Sequence, residues 1–110
     1  MYGMVRTVKS NQGQERRMVF VIDASAATLL VGSHQATLTD NGTGDFTITF
    51  ANAFGRAPVA AITALESDAA GYYVNAAVGS IDVKITTLAA VAADKDVMVE
   101  VIGWDSTDEI

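Results

Sequence analysis

The sequence predicts an all-β protein: an antiparallel β-sandwich or jelly-roll-like barrel of about seven to nine short strands. Large apolar side chains fall on every second residue at Phe46, Ile48 and Phe50, with Thr47 and Thr49 between them. The same alternation returns at Ile81, Val83 and Ile85 between Asp82, Lys84 and Thr86. Side chains alternate faces along a strand, so each run should bury one wall and wet the other. Turn-forming clusters recur every ~8–12 residues, and no segment sustains a helical apolar period.

Taken in order, Met4 to Lys9 reads as a strand with Met4 and Val8 apolar among polar neighbours and Val5 out of step, closed by a turn at Asn11-Gln12-Gly13-Gln14. Met18 to Ile22 is an unbroken apolar run, the pattern of a strand buried on both sides. Asp23 to Val31 is alanine-rich and reads either as a short helical turn capped by Asp23 or Ser25 or, in preference, as a loop with a short strand near Leu29 to Val31 ended by Gly32. Ala36 and Leu38, among threonines, form the partner of the Phe46–Phe50 strand. Asp40-Asn41-Gly42-Thr43-Gly44 supplies residues that tolerate the positive φ of a tight hairpin. Pro58 lacks a backbone donor and belongs at the start of a strand or on an edge. Val59 to Leu65 and Tyr72 to Val78 follow, then a hairpin turn at Gly79-Ser80 and a turn over Ala92-Ala93-Asp94-Lys95. Asp96 to Trp104 is the last strand, with Val97, Val99 and Val101 on one side and Met98, Ile102 and Trp104 on the other. A strand apolar on both faces is central or lies against another subunit. The remainder, Asp105 to Ile110, is an acidic tail expected to be loose.

The run TDNGTGDFTITFANAF, closed by Ala57-Pro58, resembles a hairpin pattern of bacteriophage virion proteins, chiefly capsid-decoration and tail-fibre modules. Gly71-Tyr72-Tyr73-Val74 and Val99-Glu100-Val101-Ile102-Gly103 are similar to their middle and final strands, so the likeness spans residues 36–104. A similar F-x-x-A-P-x-V arrangement occurs in lectin-like sandwiches. The resemblance implies a non-enzymatic structural protein of the virion that binds the major capsid protein or another virion protein. It also implies a homo-oligomer, with a trimer as the expected state. The alternative it leaves open is a tail-fibre or lectin-like module that binds host-surface glycans.

The 110 residues suit one domain, which at this size buries roughly 60–70% of the surface its unfolded chain exposes. Half the residues are hydrophobic and only 18% are charged. That thin charge coverage fits either apolar surface shared with neighbours or threonine-rich outer faces. Cysteine is absent, so disulfides and thiolate metal sites are excluded. No apolar run reaches the ~20 residues of a membrane span, and the opening residues lack the order of a secretory leader. Synthesis in a host cytoplasm, with no membrane contact, is the expectation.

The formal charge of −6 is unevenly placed. Arg6, Lys9, Arg16 and Arg17 stand against Glu15 alone within residues 1–17, a local charge of +3, while the rest carries −9. Residues 1–35 therefore read as a basic anchoring segment for an acidic partner, or as the wet sides of strands. With Arg16 and Arg17 placed at a turn, Arg6, Lys9, Arg16, Arg17, Val97, Val99, Val101, Ile102 and Trp104 are the candidate partner-binding residues. An acidic body without aromatics interleaved among basic residues argues against nucleic acid.

Chemistry finds little support. His34 is the only histidine, and no nucleophile elbow surrounds Ser25, Ser33 or Ser67. Asp40 to Asp45 offers oxygen ligands but lacks the order of a calcium loop, and hairpin chemistry explains it. Glu66 and Asp68 share a loop, a weak basis for an acid–base pair. Adjacent Tyr72 and Tyr73 must point to opposite sheet faces, so only one can stack on a sugar. No catalytic residue, metal or cofactor is expected.

Overall fold

The computed structural model describes residues 15–105. They form eight strands: β1 (Glu15–Asp23), β2 (Thr28–Val31), β3 (Ala36–Gly42), β4 (Asp45–Phe50), β5 (Val59–Ala64), β6 (Ala70–Val74), β7 (Ser80–Thr86) and β8 (Val97–Trp104). Two antiparallel sheets of four face each other, ordered β2-β1-β8-β5 and β3-β4-β7-β6. The sandwich expected from the alternation is the architecture observed. The strand expected at Met4 to Lys9 and the turn at Asn11 to Gln14 lie outside the described residues.

The core is made by the inward halves of the alternating strands. Phe20, Ile22, Val97, Val99 and Val101 from the first sheet meet Phe46, Ile48, Ile81, Val83 and Ile85 from the second, all fully buried. A Val, Ile or Phe side chain withdrawn from water in this way contributes about 1.5–3 kcal/mol. Met18 to Ile22 is not buried on both sides, as its unbroken apolar run suggested. Met18, Phe20 and Ile22 point inward, while Val19 is 37% exposed and Val21 half-buried on the outer face. β8 is central in its sheet, paired with β1 on one side and β5 on the other.

Two irregularities sit on edge strands. Val21 faces Val31 and Ile22 faces Leu29, so Leu30 is an extra residue bulged from β2. Asn41 is likewise extra between the Asp40–Phe46 and Gly42–Asp45 pairs. Bulges twist an edge away from straight pairing with another chain. Gly44, at φ 63°, turns β3 into β4 where an added Cβ would strike the Ile85 carbonyl oxygen and the Ala93 backbone. Pro58 immediately precedes β5, an edge strand, as its missing donor demands. Between β6 and β7 the connection is residues 75–79, longer than the two-residue turn expected, and β6 ends at Val74.

The β1–β2, β3–β4, β5–β6 and β7–β8 loops share one end of the sandwich. The β2–β3, β4–β5 and β6–β7 loops share the other, where β1 begins and β8 ends.

Candidate functional site

The two outer faces of the sandwich differ in chemistry, and this contrast defines the candidate site. On the second sheet the outward positions of β4 and β7 are Asp45, Thr47, Thr49, Ser80, Asp82, Lys84 and Thr86. They are joined by polar bonds. Asn41 Nδ2 donates to Thr47 Oγ1 at 2.8 Å, and Thr47 Oγ1 donates to Asp82 Oδ1 at 2.8 Å. Asn75 Nδ2 donates to Asp82 Oδ2 at 2.9 Å. The bonds from Asn75 and Thr47 favour the charged carboxylate and hold the Asp82 pKa below its ordinary value. Lys84 Nζ lies 2.8 Å from Asp45 Oδ1, and that hydrogen bond raises the lysine pKa.

The first sheet presents a different surface. Its outward rows, read across the strands, are Val31–Val21–Met98–Thr63, then Val19–Glu100–Ala61, then Arg17–Ile102–Val59, with Glu15 and Trp104 below. Val31 and Val59 are nearly half exposed. At the centre, Arg17 Nη1 donates to Glu100 Oε2 at 2.7 Å, and Arg17 Nη2 lies 3.3 Å from Glu15 Oε2. The bond to Glu100, then that to Glu15, raises the Arg17 pKa. This face is largely apolar, with Arg17 paired to both Glu100 and Glu15 at its middle.

Several of the residues singled out in the sequence fall elsewhere. Val97, Val99 and Val101 are fully enclosed in the chain's own core. They are therefore corrected from partner contacts to packing residues, because alternation turns them inward against the second sheet. Ile102 and Trp104 stay on the outer face, half-buried. Arg6 and Lys9 lie outside the described residues. Arg16 and Arg17 belong to β1, not to a turn. Arg16 points to the inner side and closes the core at one end. Its Nε donates to Asp105 Oδ1 at 2.7 Å, and its Nη2 donates to the carbonyls of Asn52 and Ala53, each at 3.0 Å. Its guanidinium stands 4.2 Å from the centre of the Phe54 ring. Asp105, expected at the head of a loose tail, is a fixed partner in this cluster. A shallow open depression lined by Arg16, Asn52, Ala53 and Asp105 marks the spot.

Of the carboxylates considered for chemistry, Asp45 pairs with Lys84, while Asp40, Glu66 and Asp68, like Asp94 and Asp96, act on the backbone. Asp40 accepts from the Gly42 amide, Asp94 from Gly44, Asp96 from Ala24, Asp68 from Leu88 and Glu66 from Asp96. Each satisfies a backbone amide at the end of a strand or in a connection between strands. His34 is exposed in the β2–β3 turn, at the end opposite the loops that carry Ser25 and Ser67. Among the described residues, no three His, Asp or Glu side chains gather as metal ligands. No helix there is long and apolar enough to cross a membrane. Tyr72 is 54% exposed on the polar face, whereas Tyr73 packs against the core.

Sequence reasoning missed Val19, Val21, Val59 and Met98 as surface groups. The available signal was Glu100: a charged residue between Val99 and Val101 fixes which side of β8 is outward, and pairing carries that side to β1 and β5. No protein-family model, curated protein or solved structure matches the chain.

Proposed function

We propose that the chain is a non-enzymatic structural protein of a bacteriophage virion, a capsid-decoration or head-associated module. It assembles with other copies and attaches to the major capsid protein through the outer face of the first sheet. The observation that carries this reading is the contrast between the two outer faces: a hydrogen-bonded threonine and aspartate surface on one sheet, an apolar surface on the other. A free sandwich has no need to expose Val19, Val31 and Val59 beside Met98 and Ile102, whereas a protein held between neighbours does. The hairpin of residues 36–58 and the strands up to 104 supply the virion setting by resemblance. Mass spectrometry of separated capsids and tail appendages tests it. The chain is expected in the capsid fraction; its absence from purified particles would exclude a virion role.

Tyr72 favours the second reading, a tail-fibre or lectin-like module. Its exposed ring stands across from Lys84 and the Lys84–Asp45 pair on the polar face, an aromatic surface beside hydrogen-bonding groups. Glycan-array binding that is lost in Tyr72→Ala, by a chain found only with tail appendages, would replace the capsid reading with this one.

A further inference from the structure

We infer that Asn41 is a site of spontaneous covalent modification: in the folded protein its carboxamide converts to aspartate and isoaspartate, and the new carboxylate breaks the hydrogen bonds that run from Asn41 through Thr47 to Asp82. Of Asn11, Asn41, Asn52 and Asn75, Asn41 alone precedes a glycine. Glycine leaves its amide nitrogen uncrowded by a Cβ and free to reach backbone angles closed to other residues. The Gly42 amide loses its proton to hydroxide, and its nitrogen attacks Cγ of Asn41. The Cγ–Nδ2 bond breaks, and the nitrogen leaves as ammonia after taking a proton from water, which closes a succinimide ring. Water then opens the ring at either carbonyl, giving aspartate or isoaspartate. Overall one water is consumed and one ammonia released, with no oxidant or reductant involved.

The structure places this pair where the reaction meets least resistance. Asn41 is the bulged residue of β3, exposed and without a cross-strand partner, so the ladder does not clamp its backbone. Among the described residues, nothing beyond its chain neighbours lies within 4 Å of where a Cβ on Gly42 would stand, which leaves room for the ring. The Gly42 amide donates to Asp40 Oδ1 at 2.9 Å, a bond to an exposed side chain that water can replace. The same surroundings decide the effect. Asn41 Nδ2 donates to Thr47 Oγ1, and Thr47 gives its single hydroxyl proton to Asp82 Oδ1, each at 2.8 Å. An ionised carboxylate at position 41 has no proton to offer, so the proton of Thr47 must then serve two anions. Asp40 adds a like charge beside them, and Lys84 is already engaged by Asp45. Isoaspartate lengthens the main chain by one carbon, but at a point where the register is already interrupted, so the sandwich keeps its fold.

Peptide mapping by mass spectrometry on the full chain tests this, with the protein kept folded at neutral and at mildly alkaline pH and, in parallel, unfolded in urea. In the folded protein the Asn41 peptide should gain the mass difference between an amino and a hydroxyl group and elute as two products, aspartate and isoaspartate. Asn52 and Asn75, each followed by alanine, serve as internal controls and should convert at least about tenfold more slowly, because a Cβ crowds the attacking nitrogen. The rate at Asn41 should rise with pH, as loss of an amide proton requires. Conversion confined to the urea-unfolded chain, equal rates at the three asparagines, or a rate indifferent to pH would overturn the inference. Asn41→Asp supplies the product without the reaction. Its melting temperature should fall below that of the wild type, and should fall less in an Asp82→Asn background, where Thr47 is free to donate to position 41. Equal falls in the two backgrounds would overturn the proposed break between Asn41, Thr47 and Asp82. Neither readout depends on the virion reading, which concerns the other sheet.

Discussion

At the residue scale, Arg16 shows how a charge that looks like an external anchor can hold a fold together. Its position opposite Gly103 leaves room for Phe54, whose ring packs edge-on against Phe50 with centroids 5.2 Å apart. The guanidinium then covers that aromatic pair and ties β1 to the β4–β5 loop. Arg16→Ala should cost about 2–3 kcal/mol in urea denaturation, from charged hydrogen bonds and the cation–π contact. Arg16→Lys should recover less than half of this, since an ammonium cannot supply the same fork of donors. Gly103→Ala would set a Cβ 2.5 Å from the Phe54 ring, and about 1–3 kcal/mol of destabilisation is expected in the same measurement. The sequence displayed the charge of Arg16 but not its partners, because Asn52, Ala53 and Asp105 are joined to it only by the closure of the sandwich. The likeness of Arg6, Lys9, Arg16 and Arg17 as four basic side chains concealed that two of them are locally neutralised.

Asp82 belongs to the same scale. Its folded pKa is depressed by the donors from Asn75 and Thr47. Its contribution to stability is therefore present above the ordinary carboxylate value of ~3.9 and is lost as pH falls through the lower folded value. The difference in melting temperature between wild type and Asp82→Asn should be constant near neutrality and narrow below that pH. A difference that widened on acidification would contradict the assignment, as would no difference at any pH.

At the scale of elements, alternation was read best where the outward residues are polar. Phe46-Thr47-Ile48-Thr49-Phe50 and Ile81 to Ile85 declare their faces, and both strands sit where the pattern put them. Met18 to Ile22 and Val97 to Trp104 do not, because their outward residues are apolar too. Periodicity cannot separate a strand buried by its own second sheet from one whose outer side is covered by another molecule. Register resolves it: Phe20 faces Val99 and Val19 faces Glu100, so one charged residue orients the whole sheet. The β2 bulge at Leu30 and the residue 75–79 connection were illegible for another reason. Neither is set by local turn chemistry: the bulge lies on an edge strand, and the 75–79 connection is held by the Phe54 and Phe50 amides on the Val78 and Gly79 carbonyls. The β3–β4 hairpin was legible because Gly44 is required at its φ of 63°. Gly44→Val should therefore destabilise strongly, by about 2 kcal/mol or more in denaturant, with loss of the Gly44–Asp94 bond.

For the whole molecule, the claim with most reach is that the sandwich has a working side and a wet side. Side chains that react with hydroxyl radicals are placed on each: Met98 and Trp104 on the outer face of the first sheet, Tyr72 on that of the second. Substitutions on the exposed parts of the first face, such as Val59→Lys, should leave folding stability within about ±0.5 kcal/mol while impairing assembly. Radical footprinting read by mass spectrometry addresses the claim directly, comparing dilute chain with chain assembled at high concentration or on purified capsids. Oxidation of Met98 and Trp104 should fall on assembly while oxidation of Tyr72 stays unchanged. Protection of Tyr72 with Met98 and Trp104 still reacting at their dilute rates would contradict it, and would place the working side on the polar sheet.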